Sequence, residues 1–265
     1  MKDMTIEEKI KAASEMICKA ARIVVFTGAG VSTESGIPDF RSPGGLWDRF
    51  DPDDFTIQKF LRSAKTRRKQ WRILIEGGAF AEAQPNRAHL AVAELEKIGK
   101  LRCVITQNID NLHQKAGNAP EKVYELHGNM RWLRCLSCGE RISVPDMLMK
   151  TALKEMEGFP FCEQCRGLMK PDVIFFGEAL PEETLRDATY EASNCDLMLV
   201  IGSSLVVYPA AFMPRYAKDV GARLVIINKE ETPYDSEADI LLQGAAGEVM
   251  TRILAEVKSQ IGFRP

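Results

Sequence analysis

Short, continuous apolar runs alternate along the chain with stretches of helical period. The runs at 22–27, 102–106, 122–126, 172–176, 196–202, 223–228 and 239–243 read as strands, and amphipathic periodicity predicts helices over 5–20, 57–75, 86–98, 182–193, 209–219 and 246–260. Pro85, Pro181 and Pro209 stand near the starts of three of these helices, where a missing N–H costs little. Strands that are apolar throughout must be covered on both faces. The pattern therefore predicts an α/β fold, a Rossmann-like parallel sheet with helices on both faces.

Two stretches break the rhythm. Residues 131–170 lack strong periodicity and carry two cysteine pairs, and 41–77 stand where a compact crossover helix would be expected. The chain thus reads as one domain, 1–265, whose sheet is built from 1–40, 78–130 and 171–265, with a flap and helical module at 41–77 and a second module at 131–170. No repeats or low-complexity tracts appear.

In open parallel sheets, ligands bind beyond the carboxyl ends of the strands. Those ends carry Gly28-Ala29-Gly30, Gln107-Asn108-Ile109-Asp110, His127-Gly128, Gly202-Ser203-Ser204 and Asn228-Lys229-Glu230. Small and hydrogen-bonding residues at five strand ends suit a dinucleotide. Gly28 and Gly30 would let backbone approach a pyrophosphate, the serines would donate to phosphate or ribose, and Asn228 and Glu230 stand where ribose hydroxyls need acceptors. The usual third glycine is replaced by Thr33, after which the chain enters GIPDFRSPGG, a composition for a mobile flap rather than a helix. A flap that excludes water from the nicotinamide end suggests that NAD is consumed rather than cycled between redox states.

Composition narrows the class. With 265 residues, 45% hydrophobic and 27% charged, the chain can bury a full core; 35 basic against 37 acidic side chains leave a net charge of −2, which gives no field for nucleic acid or anionic membranes. The basic run Arg62, Lys65, Arg67, Arg68, Lys69 and Arg72 reads as a solvated helix face. No apolar run approaches the ~20 residues of a membrane span, so a soluble, cytoplasmic protein is expected. Cys18, Cys103 and Cys195 sit in apolar surroundings and read as small buried hydrophobes. Cys135-x2-Cys138 and Cys162-x2-Cys165 have the spacing of a zinc site. Two disulfides are the alternative, which a reducing compartment disfavours. Four thiolates would leave no open coordination position, so the zinc would be structural.

The ordered segments GAGVSTESGIPDFR, TQNIDNLH, ELHGN, CLSC…CEQC, KPDVIFFGE and GSSLVVYPA resemble the signature motifs of the sirtuin family, NAD-dependent protein lysine deacylases, over nearly the whole chain. By that resemblance Ala29, Thr33, Phe40 and Arg41 line the NAD pocket with Gly202, Ser203, Ser204, Asn228, Lys229, Glu230 and Ala246. Gln107 would contact the ribose near the reacting carbon, and Asn108, Ile109, Asp110 and Ile37 would form the nicotinamide subsite. On its own Asp110 would more often be a loop or helix-capping acid; its place inside QNID reverses that preference.

The resemblance makes His127 the general base, a role imidazole suits near neutral pH; Asn108 and Asp110 would assist it. His89 reads as structural, and His113 as lying on a helix turned away from the pocket. Ile174 and Phe176 would hold the acyl-lysine, and Gly177, Glu178, Val206 and Val207 would pair with the peptide. The implied reaction moves the acyl group of an acetylated lysine in a protein or peptide to ADP-ribose, releasing nicotinamide and O-acetyl-ADP-ribose. The segment QWRILIEGG (70–78) lacks the Tyr and Arg, three residues apart, found in succinyl-removing members, which points to acetyl or other uncharged acyl groups. A compact chain without long tails suggests a prokaryotic type, and a monomer is expected. A mono-ADP-ribosyltransferase using the same NAD site stays open. So does a zinc-ribbon nucleic-acid binder, although the charge balance argues against it.

Overall fold

The computed structural model describes residues 4–76, 83–144 and 160–262. Six parallel strands form the main sheet: β1 Ile23–Thr27, β2 Leu101–Thr106, β3 Val123–Glu125, β7 Leu197–Ile201, β8 Arg223–Asn228 and β9 Ile240–Gln243, in the order β3-β2-β1-β7-β8-β9. This is the doubly wound order, with its topological switch between β1 and β7.

Alternation of side chains along the strands divides the core into two layers. Ile23 and Val25 of β1, with Leu197, Leu199 and Ile201 of β7, pack against Ile10 and Ile17 of helix Ile6–Lys19, Val92 and Leu95 of helix Arg87–Lys97, and Ile253 and Val257 of helix Ala246–Gln260. Val24, Phe26, Met198 and Val200 face the other way, onto Ala188 and Ala192 of helix Glu182–Ala192 and onto Met213 and Ala217 of helix Met213–Asp219. The first helix starts where a capping box forms: Glu8 N–H donates to Thr5 Oγ1 at 3.2 Å, and Thr5 N–H to Glu8 Oε2 at 2.7 Å.

One strand expected in the parallel sheet belongs elsewhere. Instead of 172–176, the strand is β6 Met169–Val173, which pairs antiparallel with β4 Gly128–Cys135; β4 also pairs with β5 Arg141–Ser143 to give a separate three-stranded sheet. Residues 174–176 leave that sheet, and Phe176 bonds instead to Phe55 and Ile57. The helix expected over 57–75 is likewise two, Ile57–Arg62 and Ala64–Glu76. Between them Ser63 is extended, and its hydroxyl accepts the Thr66 N–H at 3.1 Å; a serine that caps the second helix ends the first. Arg67 of the basic run donates to the carbonyls of Phe60 and Leu61 at 2.6 and 2.9 Å, so its charge covers the end of the first helix.

Parts of the two modules, 77–82 and 145–159, lie outside the described residues, as do the side chains of 72–76; the comparison of QWRILIEGG with succinyl-removing members falls largely there. No helix of the described residues is long and apolar enough to cross a membrane.

Candidate active site

At the switch point the β1 and β7 loops interlock. Gly28 N–H donates to Ile201 O at 3.2 Å and Gly30 N–H to Gly202 O at 2.8 Å. A Cβ on Gly28 or on Gly30 would stand 2.8 Å from the Gly202 oxygen, and one on Gly202, whose φ is +62°, would stand 2.2 Å from Val31 N. These glycines are therefore demanded by loop-on-loop packing. The N–H groups of Gly28 and Gly30 are both bonded within this interlock.

After Gly28 the chain forms a short 3₁₀ helix, Ala29–Ser35, closed by Gly36 at φ 84°. Thr33, at the position of the missing glycine, donates its hydroxyl to Gly30 O at 3.0 Å. Beyond it the flap is knitted by Asp39, whose carboxylate accepts Arg41 N–H at 3.0 Å, Ser42 N–H at 2.8 Å and Ser42 Oγ–H at 2.6 Å. Burial opposes ionisation of Asp39, but these bonds outweigh it and hold its pKa below the ordinary carboxylate value. Phe40 lies 5.1 Å, ring to ring, from Trp47, and Arg41 is exposed.

A cavity of about 270 Å³ opens between the flap and the sheet, lined by Gly30, Thr33, Asp39, Ser42, Gly202, Asn228, Lys229, Glu230 and Ala246. Asn228 Nδ2 donates to Glu230 O at 2.8 Å. In the first turn of the helix that begins at Ala246, Gly247 N–H donates to Glu34 Oε1 at 2.7 Å. Polar groups, small residues and one lysine give this cavity the character of a site for a nucleotide's sugar and phosphates.

A buried polar network lies beside it. Ser32 Oγ donates to Asp110 Oδ2 at 2.7 Å and accepts from Asn108 Nδ2 at 3.0 Å; Asp110 Oδ1 accepts Leu112 N–H at 2.9 Å. Asp110 thus holds the first N–H of helix Leu112–Ala116 with one oxygen and Ser32 with the other. His89 Nδ1 accepts Asn86 N–H at 3.4 Å, so Nε2 carries the proton, 3.4 Å from Ser32 Oγ; burial lowers its pKa to about 4. His113, on helix Leu112–Ala116, is buried behind this network. Its ring packs 5.0 Å from that of His89, and Nε2 lies 3.0 Å from Thr27 Oγ1, under the end of β1. Ile37 is buried against Ala83 and Leu112. Ile109 O accepts Met130 N–H at 2.9 Å, which ties this loop to β4.

His127 stands where the chain passes from β3 to β4. Its Nδ1 lies 2.9 Å from Gln107 O. A carbonyl only accepts, so Nδ1 carries the proton and Nε2 keeps its lone pair. Burial pushes the pKa below the usual ~6.5 despite the pull of that carbonyl. Gln107 in turn donates through Nε2 to Ser203 Oγ at 2.8 Å, linking the ends of β2 and β7, and Ser204 follows, half-buried.

On the far side of His127, Ile174 N–H donates to His127 O at 2.9 Å. Phe176 is 46% exposed, its ring 6.0 Å from Trp47. Both its backbone groups are taken, by Phe55 O at 2.9 Å and Ile57 N–H at 3.1 Å. Glu178 N–H is likewise bonded, to Phe175 O at 3.0 Å, and Val207 O accepts Ala211 N–H at 2.9 Å, while Val206 is exposed.

The four cysteines meet. Sγ of Cys135 and Cys165 are 3.5 Å apart, those of Cys138 and Cys162 3.7 Å, and all four lie within 4.8 Å of one another. A disulfide needs ~2.05 Å, so the two-disulfide alternative is excluded. A tetrahedron of sulfurs around zinc at ~2.3 Å has edges of about 3.8 Å, which this cluster matches. Ser137 N–H and Gly167 N–H approach Cys135 and Cys165 sulfurs at 3.4 Å each. A Cβ on Gly167 would lie 2.7 Å from Cys135's neighbour knuckle at Ser137 Cβ, so the two knuckles need glycine there. The donor set fits one zinc ion and leaves no coordination position for substrate.

Residues 28–209, from the interlocked glycines through the cysteine cluster to the peptide edge, match the model of the Sir2 family. The chain belongs to that family. It is 49% identical over 261 residues to the NAD-dependent protein deacetylase of Thermodesulfovibrio yellowstonii, covering 97% of this chain and 99% of that one. It is 45% identical over 255 residues to NAD-dependent protein deacylase 2 of Archaeoglobus fulgidus, covering 96% and 98%. Among solved structures, it is similar to a Sir2 complex of a deacetylated p53 peptide with 3'-O-acetyl ADP ribose, at 40% identity and a TM-score of 0.85, with 93% of this chain and 98% of that one covered.

Set in this Sir2 frame, the residues sequence reasoning missed are Ser32, at the centre of the polar network, Asp39, which closes the flap, and Trp47, between Phe40 and Phe176. Ser32 and Asp39 lie inside the first motif, but nothing local distinguishes a buried serine in a 3₁₀ turn from a solvated one.

Proposed function

We propose that this chain is an NAD-dependent protein lysine deacetylase that transfers the acetyl group of acetyl-lysine to ADP-ribose. The reaction balances as acetyl-lysine, NAD and water giving lysine, nicotinamide and O-acetyl-ADP-ribose. The observation that carries the reading is His127, held neutral with Nε2 free between the nucleotide cavity and the peptide edge.

In this reading the cavity at Gly30, Thr33, Asp39, Gly202 and Asn228–Glu230 holds the ADP portion, and Ile37, Asn108, Ile109 and Asp110 receive the nicotinamide. Asp110 Oδ2, already bonded to Ser32, has a second lone pair for a carboxamide N–H. Ala29, Phe40 and Arg41 close over the ribose, and Gln107 and Ser203 bear on it from below. Departure of a cationic pyridinium needs little acid assistance. Nε2 of His127 takes the proton from the ribose hydroxyl that attacks the acyl carbon. The carbonyl of Ile174 accepts the lysine N–H, the ring of Phe176 walls the acyl chain, and Gly177, Glu178, Val206 and Val207 pair with the peptide. The zinc held by Cys135, Cys138, Cys162 and Cys165 is structural, and no step uses it.

The same reading covers the parts of the chain: 1–40, 78–130 and 171–265 for NAD, 41–77 for the flap, 131–170 for the metal. It takes the protein as a cytoplasmic monomer, with near-balanced charge against nucleic-acid and membrane partners, and acetyl as a better substrate than succinyl. The test is incubation with NAD and an acetylated or succinylated peptide, followed by mass spectrometry. Acetylated ADP-ribose and free lysine are expected; NAD that stays whole with every acyl peptide would end the proposal, and ADP-ribose attached to protein would favour a transferase.

A further inference from the structure

The platform that follows β6 is folded around one buried ammonium. Lys170 is 4% exposed. Its Nζ donates to Glu178 Oε2 at 2.9 Å and to Val173 O, and lies 4.3 Å from the centre of the Phe175 ring. Glu178 Oε2 also accepts Phe175 N–H at 2.6 Å, and Glu178 N–H returns to Phe175 O at 3.0 Å. Residues 173–178 are thereby bent into a closed loop, with Phe175 driven inward against Phe60 at 5.5 Å between rings. Its neighbours face the other way: Ile174 is tied to His127 and Phe176 to Phe55 and Ile57.

Burying an ammonium is expensive unless it is paired and hydrogen-bonded. Apolar side chains could fill this space more cheaply, so the pair's contribution is to geometry. A point charge with three donors fixes Val173 O, Glu178 and, through Glu178, Phe175 N–H relative to one another. Those are the inner attachments of the loop whose outer edge carries Ile174 O and the backbone of Gly177.

The geometry points to Lys170 as a positioning residue for the acyl-lysine peptide, acting through Glu178 and touching neither NAD nor the reacting atoms. The inference rests on the deacetylase reading above. It separates two affinities that a general loss of stability would lower together, since the nucleotide cavity is built on the β1, β7 and β8 loops and shares no residue with this one.

The experiment measures, by calorimetry on the zinc-loaded protein, the Kd of an acetylated peptide and the Kd of ADP-ribose for wild type, Lys170→Met, Lys170→Arg and Glu178→Gln. Lys170→Met should weaken the peptide by about tenfold or more while ADP-ribose changes by less than about twofold, and Lys170→Arg should recover part of the peptide affinity. If Lys170→Met does not fold, Glu178→Gln carries the measurement, because its amide oxygen still accepts Phe175 N–H while the charge facing Lys170 is gone. Equal losses for both ligands, or an unchanged peptide Kd in the folded variants, would overturn the inference. A wild type that binds ADP-ribose but no acetylated peptide would instead defeat the reading on which it rests.

Discussion

His127 gives its Nδ1 proton to the carbonyl of Gln107 at 2.9 Å, and this single bond decides which ring nitrogen can act as a base. Replacing His127 with Ala is expected to lower deacetylation by at least about 100-fold, the usual scale of a lost general base, with zinc content and circular dichroism unchanged. Since burial lowers the pKa of this imidazole, the neutral form persists below pH ~6.5. The acid limb of kcat/KM for wild type, which reports the free enzyme, should therefore fall below that pH, which a pH–rate profile checks; a limb above pH 7 would contradict it.

Ser32 both accepts from Asn108 and donates to Asp110, so Ser32→Ala strands two buried groups. A cost of about 1–3 kcal/mol in stability is expected, with loss of activity from the loosened subsite. Urea midpoints and nicotinamide release, measured on the same preparations, test the two effects.

The histidines in and behind the site give stability a pH dependence of definite sign. Buried His89 has its pKa lowered to about 4, and burial also lowers those of His113 and His127. Once unfolded, each titrates near ~6.5, so below that pH the unfolded chain binds more protons and stability falls with falling pH. Their contribution is complete above ~6.5 and drains away towards the folded-state values; His89 alone should cost about 2 kcal/mol at pH 5. His89→Gln should flatten the difference between urea midpoints at pH 5 and pH 7.

Gly36 and Gly202 both have positive φ, 84° and 62°, but a Cβ on Gly36 meets nothing within 4 Å, whereas one on Gly202 strikes Val31 N. Gly36→Ala should therefore cost only the left-handed backbone, about 1 kcal/mol, and remain active. Gly202→Ala should fail to fold or lose NAD binding entirely. Equal behaviour of the two in thermal melts would refute the interlock.

Metal removal should act on peptide and base together, because the cysteine cluster lies on the same small sheet as the register Gly128↔Val173. One zinc per chain is expected by elemental analysis, and chelation or Cys162→Ser should abolish deacetylation.

The main sheet was legible because β1 and β7 are buried at every residue, so their sequences are apolar without interruption. The small sheet was not. In β4 buried and exposed residues are mixed, and β6 reads MKPDV, a lysine, a proline and an aspartate in five residues. Its lysine is made tolerable in the interior by Glu178, eight residues further on, a charge pairing that apolar periodicity does not register. Motif residues such as Gln107, His127 and the four cysteines could be picked out by type and spacing. The orientation of His113 could not, because it depends on Thr27, far away in the chain.

Gly128 opens β4 immediately after His127, and β6 closes at Val173 immediately before Ile174. Their far ends meet at Cys135↔Met169, beside the sulfur cluster, so one short splint of two strands runs from the metal ligands to the imidazole on one side and to Ile174 on the other.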